Sequence, residues 1–175
     1  MHRSEIGCVD NVMLFGGYDG PIAGPGRYTV RVSIGDASDS AAFEVLPDPR
    51  SSATAAEIDD WVTSQTRVAR TLGDVLQTLE RVRHARSQVQ ALVDSQSAAE
   101  LEELATAAIA GLDAWETTIT QLKHETYEDE DAWPVMLDGQ IQHLLDVIRS
   151  SGAPVTEGAR ERMTDLEAMW ADRQS

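Results

Sequence analysis

The spacing of apolar positions divides the chain in two. From Thr54 to Val93, the positions Trp61, Gln65, Val68, Leu72, Val75, Leu79, Val82, Arg86, Val89 and Val93 follow in alternating steps of four and three. This is the spacing of a helix that lays a narrow seam on partner helices. The stretch holds no proline and only Gly73, which predicts one continuous helix of about 60 Å at 1.5 Å per residue. Thr54-Ala55-Ala56-Glu57 fits a capping box at its start. Ser97-Ala98-Ala99-Glu100 fits another, opening a second helix through about Glu125 with Leu101, Ala105, Ala108, Leu112, Trp115, Ile119 and Leu122 on its seam. Helices joined by so short a turn lie antiparallel. Pro134 suits the first turn of a third helix, with Asp131 near its cap. Val135, Leu137, Ile141, Leu144, Leu145 and Ile148 form its buried side, and it ends at Ser150-Ser151-Gly152. After Pro154, Thr156 is placed to cap a fourth helix carrying Ala159, Met163, Leu166 and Trp170.

Residues 1–50 follow a different pattern. Val12 to Phe15 reads as a short strand, and GGYDGPIAGPG supplies successive turns. In RYTVRVSIG, Tyr28, Val30, Val32 and Ile34 share one face, while Arg27, Thr29, Arg31 and Ser33 share the other. A turn at Gly35-Asp36 leads to a second strand from Ala37 to Leu46, in which Phe43 and Val45 continue the apolar face. Two or three strands do not make an independent fold, so this face needs a cover. Leu46-Pro47-Asp48-Pro49-Arg50 is a stiff link to the helices. The pattern predicts a mainly α protein with a β unit over 1–50 and a helical domain over 51–175. That domain is an antiparallel up-down bundle of four helices, the first two long, with a small N-terminal antiparallel β unit.

Two geometric expectations follow. With up-down-up-down connections the third helix begins beside the start of the first, so Trp61, Trp133 and Trp170 should meet there as a packing cluster rather than a ligand pocket. At the far end, between Val82 and Ile109, the first two helices project as a bare pair. Val82, Val89, Leu92, Val93, Leu101, Leu104 and Ile109 then lie on a seam that two helices cannot hide, a mark of association.

Composition sharpens the picture. In 175 residues, 42% are apolar but only 5% aromatic, so the core is built of Leu, Val, Ile and Ala. There are 30 acids against 14 bases, a net charge of -16, and Lys123 is the single lysine. Such a surface repels nucleic acid and anionic membranes, which excludes both as expected partners. Abundant acid with almost no lysine also resembles proteins of extreme halophiles, in which salt screens self-repulsion. The lone Cys8 excludes an intrachain disulfide and a thiolate zinc cluster. The start MHRSEIGCVDNVMLF reads as neither signal peptide nor membrane span, which leaves the compartment open.

Candidate chemistry is sparse. His2, His84, His124 and His143 are scattered and form no HExxH or paired ExxH pattern. Glu125, Glu128, Asp129, Glu130 and Asp131 lack calcium-loop grammar and read as a solvated acidic loop. The glycine-rich run matches no phosphate or dinucleotide loop, and no serine sits in a GxSxG elbow. Arg81, Arg83 and Arg86 are expected to pair with acids of the neighbouring helix. Catalytic, cofactor-binding and metal-ligating residues are therefore all assigned as none.

The order of four landmarks is nonetheless distinctive: NVMLFGGYDGPIAGPGRYTVRV, LPDPR before the long helix, WPVMLDGQIQHLL, and SSGAPVT. It resembles the C-terminal region of the BNR-repeat or sortilin-type β-propeller proteins, often labelled glycosyl hydrolases, from about residue 11 onward. The resemblance implies that the hairpin belongs to an incomplete immunoglobulin-like unit and that the chain is a C-terminal module. The family's Asp-box blades are absent from this sequence, so the hydrolase activity in the family label has no residues here to receive it. The resulting expectation is a non-enzymatic structural or interaction module, partnered by a second copy or a propeller-type protein. The alternative is an accessory domain supporting catalysis on another chain.

Overall fold

The computed structural model describes residues 20–95, 99–123, 129 and 132–174. It is mainly helical, with one two-stranded antiparallel sheet at the N-terminal side: β1 (Gly26–Ile34), β2 (Ala37–Val45), α1 (Ala55–Ser95), α2 (Ala99–Thr117), α3 (Leu137–Ser151) and α4 (Glu157–Arg173). The expected strand at Val12 to Phe15, the second capping box at Ser97, and Cys8, His2, His124 and Asp131 lie outside the described residues.

The sequence signals at the helix starts act as read. Glu57 accepts a hydrogen bond from the Thr54 amide at 2.7 Å while the Thr54 hydroxyl accepts from the Glu57 amide at 3.3 Å, the reciprocal capping box of α1. Thr156 caps α4 by accepting from the Ala159 amide at 3.3 Å. The third helix departs from the reading: it begins at Leu137 behind an extended Met136 that makes no side-chain cap, so Pro134 lies before the helix and not in its first turn.

Helix two is shorter than expected, and this changes the course of the chain. It stops at Thr117 rather than near Glu125. Thr117, Thr118, Ile119 and Thr120 are β-branched and poor at continuing a helix. The Thr117 and Thr118 hydroxyls bond back to the carbonyls of Ala114 and Trp115, both at 2.8 Å. The Glu116 carbonyl then accepts from both Ile119 and Thr120 amides at 3.0 Å, closing the turn.

Long-range bonds fix the levels along α1. Arg83 and Arg86 reach Glu116 and Asp113 near the end of α2. The Ile119 carbonyl accepts from the Asp138 amide at 3.1 Å, so α3 starts where α2 stops. Trp61 Nε1 donates to the Ile148 carbonyl at 2.6 Å, placing the end of α3 beside the start of α1. α4 climbs back along α1, with Arg160 bonded to Asp60, Arg67 to Glu167 and Trp170 to Asp74. Helices α2 and α3 thus both run antiparallel to α1 and share its length end to end, and α4 returns antiparallel to α3, so the four helices form the antiparallel bundle expected.

The main core cluster lies along α1 from its start up to Leu79. Val68, Leu72, Val75 and Leu79 of α1 close on Ile119, on Leu137, Ile141, Leu144, Leu145 and Ile148 of α3, and on Met163, Leu166 and Trp170 of α4. The meeting of three tryptophans does not occur. Trp170 pairs with Trp115 at 6.4 Å between ring centroids, and Trp133 lies under the Lys123 ammonium, 4.2 Å from its ring centre. Trp61 is bonded some twenty ångströms lower, because Trp170 sits level with Asp74, 13 residues along α1 at about 1.5 Å each.

Candidate interaction surfaces

Among the described residues the β ribbon is the least covered part. Its register runs from Gly26 opposite Val45 to Ile34 opposite Ala37. Gly35, the first of two loop residues, takes φ +57 while Asp36 does not adopt a positive φ, the pattern of a type II′ turn with glycine first. Alternation then puts Tyr28, Val30, Val32 and Ile34 on one face with Phe43, Ala41, Asp39 and Ala37 opposite them. Tyr28 and Phe43 stack at 5.7 Å. Neither strand packs on a helix. Val30 is 49% exposed, Val32 58%, Ile34 80% and Phe43 51%.

Only the root of the ribbon is anchored. The Ile22 amide donates to Gln65 Oε1 at 3.0 Å, and Gln65 is itself fully buried on α1. Gly24 is buried against Val62, where an added Cβ would lie 2.8 Å from Val62 Cγ2. The Tyr28 hydroxyl donates to the Gly24 carbonyl at 2.6 Å, tying the first turn of β1 to this anchor.

A second uncovered surface lies at the far end of α1. Beyond Leu79 no α1 residue is buried, and on the facing part of α2 Ala105 is the buried apolar residue. Leu92 is 44% exposed and Leu104 65%. Val82, Val89, Val93, Leu101 and Ile109 are half-buried, as expected for a pair of helices without a third.

Between these surfaces lies a polar junction. Glu116, 2% exposed, accepts from Arg83 Nε at 2.6 Å and from Arg86 at 3.2 Å, and Arg86 also reaches Asp113 at 2.7 Å. Arg83 and Arg86 therefore pair with the neighbouring helix as expected, while Arg81 turns back to the Thr78 hydroxyl. Asp138 sits at the same level. Burial pushes its carboxyl above the usual range, opposed by bonds from the Thr120 hydroxyl and the Gly139 amide and by the Arg83 charge. Arg83 and Arg86 thereby neutralise the buried Glu116.

The remaining chemistry stays dispersed. Among the described residues no group of three His, Cys, Asp or Glu could hold a metal ion. His84 is exposed and contacts Gln88 at 3.2 Å. A crevice lined by Val68, Ile141, Leu144, Met163 and Leu166 has a volume of about 10 Å³, room for one water at most. No helix among the described residues is long and apolar enough to cross a membrane. Comparison with known protein families, with curated proteins and with solved structures finds no match.

Proposed function

We propose that the chain is a non-enzymatic interaction module: a helical stem that presents two unpartnered apolar surfaces to a second copy of itself or to a propeller-type partner protein. The observation that carries this reading is the exposure of Val30, Val32, Ile34 and Phe43 on a ribbon that touches no helix. A two-stranded ribbon is marginal in water, and a contiguous apolar face is normally covered. The bare α1–α2 pair supports the same reading from the other end. Nucleic acid and anionic membrane remain unsuited to a chain of net charge -16.

Light scattering at about 1 M KCl, where the Debye length falls to about 3 Å, tests it. Wild type should associate. Val32→Thr with Phe43→Thr should weaken association through the ribbon, and Leu92→Ser with Leu104→Ser should weaken association through the far end. A wild-type monomer at every accessible concentration, with no binding to a propeller protein encoded beside it, would sink the proposal.

The accessory-domain reading is favoured by the two edges of the ribbon, which no other described strand pairs and which a partner's strands would complete by β-augmentation. It requires catalysis on another chain. Co-purification with a propeller protein that loses activity on separation would support it over self-association.

A further inference from the structure

We propose that two copies of this chain join by antiparallel pairing of β1 with β1 about a two-fold axis at Val30, giving a four-stranded sheet. This rests on the self-association arm of the function proposed above. The argument begins with hydrogen-bonding parity. The two-residue loop closes on the Ile34–Ala37 pair, so alternate pairs exchange hydrogen bonds within the ribbon while the intervening residues point theirs outward. On β1 the outward groups belong to Arg27, Thr29, Arg31 and Ser33; on β2 they belong to Ser38, Ser40, Ala42 and Glu44.

Symmetry then narrows the choice. Pairing β1 of one copy with β2 of the next is heterologous and does not close, whereas either strand against itself closes as an isologous dimer. A two-fold at Val30 sets Arg27 opposite Ser33 and Thr29 opposite Arg31, so every outward group of β1 finds a partner. The same operation sets Tyr28 opposite Val32 and Val30 opposite itself. Aromatic and β-branched residues facing each other across strands are the pairs that stabilise a sheet. The equivalent two-fold on β2, at Ala41, sets the Asp39 carboxylate against Phe43 twice over, on an apolar face. β2 is also rich in Ala and Ser, which suit strands less well than the Tyr, Thr, Val and Ile of β1.

Charge favours the same arrangement. Within the ribbon Arg27 and Arg31 stand against Asp36, Asp39 and Glu44, so it is nearly neutral in a chain of net charge -16. β1 carries no acid at all. Antiparallel pairing places the two acidic stems at opposite ends of a nine-residue strand, about 30 Å apart at 3.4 Å per residue. That separation exceeds the Debye length at physiological salt several times over.

Cross-linking tests this register. In a Cys8→Ser background, Val30→Cys should form a covalent dimer on oxidation, because facing residues at a non-hydrogen-bonded pair lie about 4.5 Å apart between Cα atoms, within disulfide range. Ala41→Cys should not. Arg31→Pro removes one outward amide and leaves the ladder with β2 intact, so it should abolish the dimer, while Ser40→Pro on the other edge should retain it. Circular dichroism verifies that each variant keeps its helices. Cross-linking through Ala41→Cys in place of Val30→Cys, or a dimer indifferent to Arg31→Pro, overturns this inference and leaves self-association standing. A wild-type monomer overturns both.

Discussion

Replacing Glu116 with alanine is the most direct probe of how the two halves of the stem are joined. Its carboxylate is 2% exposed and holds both Arg83 and Arg86. Removing one partner of a buried ion pair leaves uncompensated charge and costs about 3–5 kcal/mol. The lower end applies here, since the arginines are 24% and 38% exposed and Arg86 keeps Asp113. A loss of about 3 kcal/mol lowers the melting temperature of a domain this size by roughly 6–12 °C. The charge change alone works the other way, because removing one acid relieves self-repulsion. Thermal unfolding followed by circular dichroism, at low salt and at about 1 M KCl, separates the two. Asp48→Ala, which breaks an exposed pair with Arg50, serves as the comparison and should leave the transition in place. If the cost of Glu116→Ala comes from stranded guanidinium groups, Arg83→Met in the same chain should recover a large part of it. Additive losses, or a Glu116→Ala transition no lower than that of Asp48→Ala, would refute the reasoning.

Other outcomes follow from the same structure. The melting temperature should rise with KCl, since a net charge of -16 opposes compaction; a transition indifferent to salt would remove the halophilic interpretation. Ile141→Ala, at a fully buried position between α1 and α4, should cost about 2–5 kcal/mol in denaturant unfolding. Gly24→Ala forces a Cβ to 2.8 Å from Val62 and should increase amide exchange at Ile22 while the helical amides stay protected. Asp138→Asn tests the raised carboxyl. A group bound to its proton more tightly when folded stabilises fully below its unfolded value and loses that contribution as pH rises through the folded value. The stability of wild type relative to Asp138→Asn should therefore decline as pH increases from about 4; a flat difference would show that burial does not govern this group.

Much of the helical body was legible because its signals are local. The capping residues Thr54, Glu57 and Thr156 act through the backbone of their own helix, and the seams of α1, α3 and α4 were spaced to face a common core. The end of α2 was not legible from spacing. Trp115, Ile119 and Leu122 continue the four-three rhythm, and Ile119 is fully buried, but it is buried from a turn and not from a helix. Periodicity reports which side chains face inward, not which backbone delivers them. The run of β-branched residues from Thr117 was the available signal. Misplacing that end also misplaced α3 and with it the tryptophans. Of the interaction surfaces, the alternation of β1 was plain in the sequence. The separation of the ribbon from every helix depends on the anchor of Ile22 and Gly24, which holds the root and leaves the strands projecting.

The position of the two uncovered surfaces carries a further consequence. The ribbon is rooted at the start of α1 through Gln65 and Val62, and the bare helix pair lies at its other end. Along α1 the root at Val62 and the exposed Leu92 are separated by about 45 Å at 1.5 Å per residue, so neither can cover the other within one chain. Two isologous contacts on opposite ends of a rod do not close: pairing through ribbons alone gives a dimer, and adding pairing through the helix ends gives an open array. Scattering mass should therefore keep rising with concentration in wild type at high salt. Leu92→Ser with Leu104→Ser should stop growth at the dimer, and Arg31→Pro combined with those two changes should return the chain to a monomer. Growth that persists when both ends are altered would place the contact elsewhere on the stem, and the length of α1 would then have no role in keeping two contacts apart.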